Sequence, residues 1–117
     1  MLAGRLPARD RAVLVKPQNY AKLTGSLREV FRQSGAAAAH DLVLYVSPWN
    51  FELGRVRSPC HLWHGESDTV VPVAVGRRLA VTLPRCEARF LPDEGHVSLP
   101  ILHMETILQT LWTHGGM

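Results

Sequence analysis

Two turns in this sequence carry residues able to move a proton. The first, HGESDTVVP at residues 64–72, holds Asp68; the second, LPDEGHVSL at residues 91–99, holds His96. A carboxylate beside an imidazole fixes the ring's tautomer and stabilises the imidazolium, which a base requires when it takes a proton from a serine hydroxyl. Asp68 and His96 are therefore candidates for the acid and base of a Ser-His-Asp triad, provided the fold brings them together. Each also has a plainer reading. Asp68 suits an Asx-turn or the N-cap of a helix starting near Val73, and His96 suits a histidine donating to a carbonyl in a tight glycine turn.

The elements around the two turns decide whether the pair can meet. CHLWHG, residues 60–65, reads as a short strand ended by Gly65, and EARFLP, residues 87–92, as another ended by Pro92 and Gly95. Between them VPVAVGRRLAVTLP places Val75, Leu79, Ala80 and Leu83 at helical spacing. Strand, helix, strand is a crossover unit, so the strands are expected to be parallel with a right-handed connection. In open parallel sheets, chemistry collects outside the carboxyl ends of the strands. Asp68 follows one such end and His96 the other, and adjacent parallel strands bring those ends together.

After His96, SLPILHMETILQTLWTHGG places Ile101, Met104, Leu108 and Leu111 on one helical stripe, with Ile107 and Trp112 beside it. Ser98 suits its N-cap, Pro100 its first turn and Gly115 its C-cap. The first half of the chain reads as helical. A short turn around Arg9–Val15 precedes KPQNYAKLTGSLREVFRQSG, with Tyr20, Leu23, Leu27, Val30 and Phe31 on one face and Gly35 at the expected C-cap. AAAAHDLVLYVS then gives a helix with Ala39, Leu42, Val43 and Val46 on one side, stopped before Pro48. The pattern divides the chain into a helical part, 1–58, linked through SPWNFELGRVRSP to a strand-containing part, 59–117.

Composition narrows the classes. The chain has 117 residues, of which 46% are hydrophobic and 20% charged, which is ordinary for a single globular domain and unlike disordered, collagenous or coiled-coil sequences. The net charge of +3 comes from scattered Lys and Arg, with no run longer than Arg77–Arg78 and no aromatic platform between them, so nucleic acid is not an expected partner. Two cysteines, Cys60 and Cys86, are too few for a disulfide framework and lack CxxC spacing. Charges run through the opening MLAGRLPARDRAVL and no stretch of about 18 apolar residues occurs, so a cytoplasmic location without membrane contact is expected.

Two parallel strands alone leave two unpaired edges, whereas parallel sheets normally hold several strands with both faces covered. The sequence thus reads as the end of a larger sheet. LWHGESDTVVP followed by LPRCEARFLPDEGHVSL resembles the C-terminal part of α/β-hydrolases, in which the acid follows one strand in an HGxxDxxVP-like turn and the histidine sits in a GH turn after the last strand. SLREVFRQSG and PWNFELGRVRSP resemble the end of that family's helical cap and its return to the sheet. The resemblance implies that Asp68 is triad acid and His96 triad base, that the substrate is a small ester-type molecule, and that no metal or cofactor is needed. It also implies that Trp49 and Phe51 line a substrate entrance where the cap returns over the site.

One part of the family pattern is missing. Its nucleophile stands in a G-x-S-x-G elbow upstream of the acid, and no serine in this chain is bracketed by glycines at that spacing. The expectation is a C-terminal portion of an α/β-hydrolase fold, with two parallel strands, a crossover helix, a C-terminal helix and cap-like helices before them, whose nucleophile lies outside the chain. A non-catalytic fragment or interaction module, pairing its open edges with another chain, is the alternative.

GESDT contains half an elbow, with Ser67 two residues after Gly65, but Thr69 replaces the second glycine; Asp93 or Glu94 would then have to act as acid. His61 and His64, three apart in an extended segment, point to opposite faces and do not suit a shared metal. His64 is expected to pack under the acid loop. His40, His103 and His114 lie on helices without ligand spacing, so no metal is expected. Glu66, Arg77 and Arg78 read as solvated, Trp63 as strand packing and Trp112 as helix packing.

Overall fold

Cys60–Gly65 and Cys86–Leu91 form strands β1 and β2, which pair in parallel as a two-stranded sheet. In the computed structural model, which describes residues 6–32 and 35–115, they are joined by helix α4, Val73–Thr82. Ahead of them come α1, Ala8–Leu14, α2, Pro17–Val30, and α3, Gly35–Val46; a single 3₁₀ turn at Leu53–Arg55 leads into β1, and α5, Ser98–Gly115, follows β2. The fold is mixed helix and strand, with the parallel pair and crossover the sequence leads one to expect. No helix among the described residues is long and apolar enough to cross a membrane.

The register runs from Cys60 opposite Cys86 to Gly65 opposite Leu91. Alternation along the strands puts Leu62, His64, Ala88 and Phe90 on one face, and α4 lies against it, with Gly76 at the His64 ring. Any Cβ at position 76 would lie 2.6 Å from His64 Nδ1. This moves the buried stripe of α4: Gly76 is its buried residue, whereas Val75, expected on the inner face, is exposed. The opposite face carries Trp63 under the Arg89 guanidinium, 4.8 Å from the ring centroid, and His61 3.5 Å from Glu87. The thiols of Cys60 and Cys86 stay free side by side, and burial followed by the neighbouring Cys60 pushes Cys86 above the ordinary thiol value.

Beyond β1 the chain turns tightly because Gly65 has no side chain. A Cβ there would lie 2.2 Å from the carbonyl oxygen of Glu94, in the turn after β2. That contact joins the two turns, together with the bonds from Glu66 N to Leu91 O at 2.9 Å and from Ser67 N to Glu94 O at 3.1 Å. Since the obstacle is backbone, Gly65→Ala should destabilise the protein by about 3 kcal/mol, the upper end of ordinary overpacking costs. Urea denaturation reads this directly, and an unchanged midpoint would mean the two turns separate without cost.

The buried centre is unusually polar. Val13 and Leu99 are the buried hydrophobic residues among those described, while Asp10, Glu94, Ser98 and Thr110 are buried as well. α1 packs on α2 and α5, and α5 on β1, and of these residues Asp10, Glu94 and Ser98 lie where the N-terminal helix meets the turn after β2. Several apolar faces remain uncovered. Ile101, Met104, Leu108 and Leu111 do form the expected stripe on α5, but all four are exposed, as are Leu42, Val43 and Val46 on α3. Trp112, expected to pack, is 85% exposed. Gly35 also departs from expectation: it opens α3, α2 having ended at Val30, and no glycine among the described residues has the left-handed φ of a glycine C-cap.

Candidate active site

Asp68 is held by its own turn. Its Oδ1 accepts from the backbone N–H groups of Val70 and Val71, both at 2.8 Å, the Asx-turn geometry its residue type favours. This leaves Oδ2 free to face the second turn. His64, at the end of β1, supports the loop from below: its Nε2 lies 3.0 Å from Val71 O and 3.9 Å from Asp68 Oδ2. The side chain of Asp68 is 7% exposed. Burial pushes its carboxyl up, but the bonds from Val71, His96 and Val70 and the charge of His96 together outweigh it and hold Asp68 below the ordinary carboxylate value.

His96 Nδ1 lies 2.9 Å from Asp68 Oδ2. An ionised carboxylate only accepts, so Nδ1 carries a proton, and in the neutral ring Nε2 keeps its lone pair. Nε2 makes no hydrogen bond among the described residues. The turn and triad readings of Asp68 are thus compatible, because one oxygen serves each. His96 does not spend its ring on a carbonyl in its own turn.

The ring borders a groove of about 530 Å³ between α2 and α5, lined by Leu23, Val97, Pro100, Ile101 and Met104, with Lys22 at its edge. The groove is largely apolar and opens beside the half-exposed imidazole, which is 46% exposed. Trp49 and Phe51 do not line it. They stack on each other with centroids 6.0 Å apart and border two other cavities, Trp49 with Tyr45 and Phe51 with Arg55.

Several other polar residues around the two turns are engaged. Ser67 donates to Pro92 O at 2.9 Å, and Glu94 is 3.1 Å from His103 Nε2 and 3.5 Å from Arg9. Burial pushes Glu94 up, but the Ser98 hydroxyl, His103 and Arg9 more than compensate and hold it below the ordinary carboxylate value. Glu66 and Arg77, expected to be merely solvated, pair at 2.7 Å. Among the described residues no group of three or more His, Cys, Asp and Glu could hold a metal ion.

Sequence reasoning missed Asp10. Its carboxylate accepts from the backbone N–H groups of His96, Val97 and Ser98, which makes it the cap of α5. Ser98, expected to fill that position, instead accepts from Gly95 N through its hydroxyl at 2.8 Å. Asp10 stands between two arginines in a short amphipathic helix, where a surface ion pair is the natural reading. No local signal distinguishes it.

The two depressed carboxylates set a pH dependence. Between the folded values and the ordinary value of about 4, the unfolded chain binds more protons than the folded one, so stability rises with pH there. The contribution is complete above about pH 5 and disappears as pH falls through the depressed values. Asp68→Asn and Glu94→Gln should each flatten the acid limb of a plot of urea midpoint against pH. An unaltered limb in both would mean that neither carboxylate is favoured by folding.

No protein-family model matches this chain, and a search of characterised proteins finds no significant match.

Proposed function

We propose that this chain supplies the acid and base of a serine hydrolase of the α/β-hydrolase type, acting on carboxylic esters through a serine that lies outside it. The observation that carries this reading is the bond from His96 Nδ1 to Asp68 Oδ2, made just beyond the carboxyl ends of two adjacent parallel strands, with Nε2 free beside an apolar groove. Strand, crossover helix, strand and final helix correspond to the end of such a sheet, and α2 and α3 to the end of a cap.

The chemistry follows from the tautomer. A serine hydroxyl placed at Nε2 gives up its proton as its oxygen attacks the ester carbonyl, and Asp68 stabilises the imidazolium so formed. His96 then returns the proton to the departing alcohol, leaving an acyl-enzyme. A water molecule repeats the exchange, releasing the acid and regenerating the serine. The groove beside the ring suits the apolar part of an ester.

A second reading rests on the uncovered surface. With Val13 and Leu99 the buried hydrophobic residues among those described, and each strand without a described partner on its outer edge, the chain has the features of a module that joins another. A fluorophosphonate probe separates the readings. The 117-residue chain alone should remain unlabelled and should not hydrolyse p-nitrophenyl esters above background. A protein in which these residues follow a G-x-S-x-G serine should be labelled at that serine, and lose labelling in His96→Ala. Labelling insensitive to His96 would sink the first reading; a concentration-dependent dimer with no labelling in either setting would favour the second.

A further inference from the structure

Asp10 is fully buried, on α1, 86 residues from the backbone it holds. Charged residues are buried this completely only when paired or heavily hydrogen-bonded, and here the partners are backbone. Oδ2 accepts from His96 N at 3.1 Å, while Oδ1 accepts from Ser98 N at 2.8 Å and Val97 N at 3.2 Å. The negative charge also faces the positive end of the α5 dipole.

An ordinary cap would satisfy the N–H groups of the first turn and leave the preceding loop alone. Asp10 does more, because its second oxygen takes the N–H of His96 itself. Two oxygens of one rigid carboxylate, bonded on either side of the Cα of His96, fix the peptide before that residue and the peptide after it. The Cα–Cβ direction of His96 then follows, and with it where the imidazole can reach. Gly95 belongs to the same device: a Cβ there would lie 2.4 Å from each carboxylate oxygen of Asp10. With Ser98 Oγ accepting from Gly95 N, the amides of residues 95–98 are all engaged.

We propose that Asp10 is a positioning residue for His96. It sets the backbone from which the imidazole reaches Asp68, so the N-terminal helix, and not the sheet alone, aligns the base. The inference rests on the reading of His96 as base, and Asp10 touches no reacting atom. Displacement of a reacting group by about 1 Å can cost about a hundredfold in rate, so such alignment matters to turnover.

The test uses NMR of the 117-residue chain and needs no substrate. Wild type should show a low-field proton on His96 Nδ1, with nitrogen shifts of the Nδ1–H tautomer, and slowly exchanging amides at His96, Val97 and Ser98. In Asp10→Asn the low-field proton should vanish and those three amides should exchange about tenfold faster or more, as expected for bonds to a charged acceptor. The Val70 and Val71 amides, bonded to Asp68, should keep their protection within about a factor of two, since nothing in their turn is altered. Gly95→Ala keeps the Asp10 charge but drives a methyl group against it, and should give the same pattern. A low-field proton retained in both variants, despite faster amides, would reduce Asp10 to a helix cap. Protection lost evenly across the chain would make its role general stability. If wild type itself lacks the proton, the base reading falls and takes this one with it.

Discussion

His96→Ala should lower kcat by about four to six orders of magnitude in an assembled hydrolase whose serine works with this chain, since removal of a triad histidine costs on that scale. The structure explains why the loss would fall on chemistry rather than folding. The imidazole is half exposed, and Asp68 is its side-chain hydrogen-bond partner. What holds the turn is backbone: the amide of His96 bonded to Asp10, and that of Gly95 to Ser98. Alanine keeps both. Circular dichroism and urea midpoint should therefore stay close to wild type while turnover disappears. Near-normal activity would remove His96 from the mechanism altogether.

Asp68→Asn should cost about four orders of magnitude in kcat, again with the turn intact. An asparagine has one acceptor oxygen and one donor nitrogen, and the N–H groups of Val70 and Val71 claim the oxygen. The amide nitrogen then faces His96 Nδ1 and must find a lone pair there. The ring is driven into the opposite tautomer, with its proton on Nε2, and can no longer accept from serine. A twofold loss would contradict this chain of events and leave Asp68 as a turn residue only. Nitrogen shifts of the His96 ring in the variant provide a second check, since the tautomer inverts whether or not substrate is present.

That Asp68 and His96 meet was legible because the signals are local. HGESDTVVP and DEGHVS each end a strand, and the strand–helix–strand pattern alone dictates that the two ends are neighbours. The same locality explains what could not be read. Asp10 meets its partners across 86 to 88 positions, and a short helix with alternating charges offers no sign of it. Ser98 was the obvious cap by proximity, and a carboxylate from the other end of the chain took the place. The stripe on α5 shows another limit: periodicity marks which residues share a face, but not whether anything lies against it. Gly76 illustrates the reverse, a residue without hydrophobic weight that becomes the buried point of α4 because the His64 ring leaves room for nothing larger.

The bond between Asp10 and the turn at His96 also orders events during synthesis. A ribosome releases residue 10 long before residues 96 to 98, and until they emerge the carboxylate lacks the backbone donors that it holds in the fold. Until then α1 can pack on α2, which follows it directly, but not on α5. Closing so long a loop is slow, and its entropy is recovered only when the last helix is in place. The turn at His96 is fixed in the same late step that seals α1 against α5, so a nascent chain that ends before residues 96–98 would have its strands but nothing for the Asp10 carboxylate to hold.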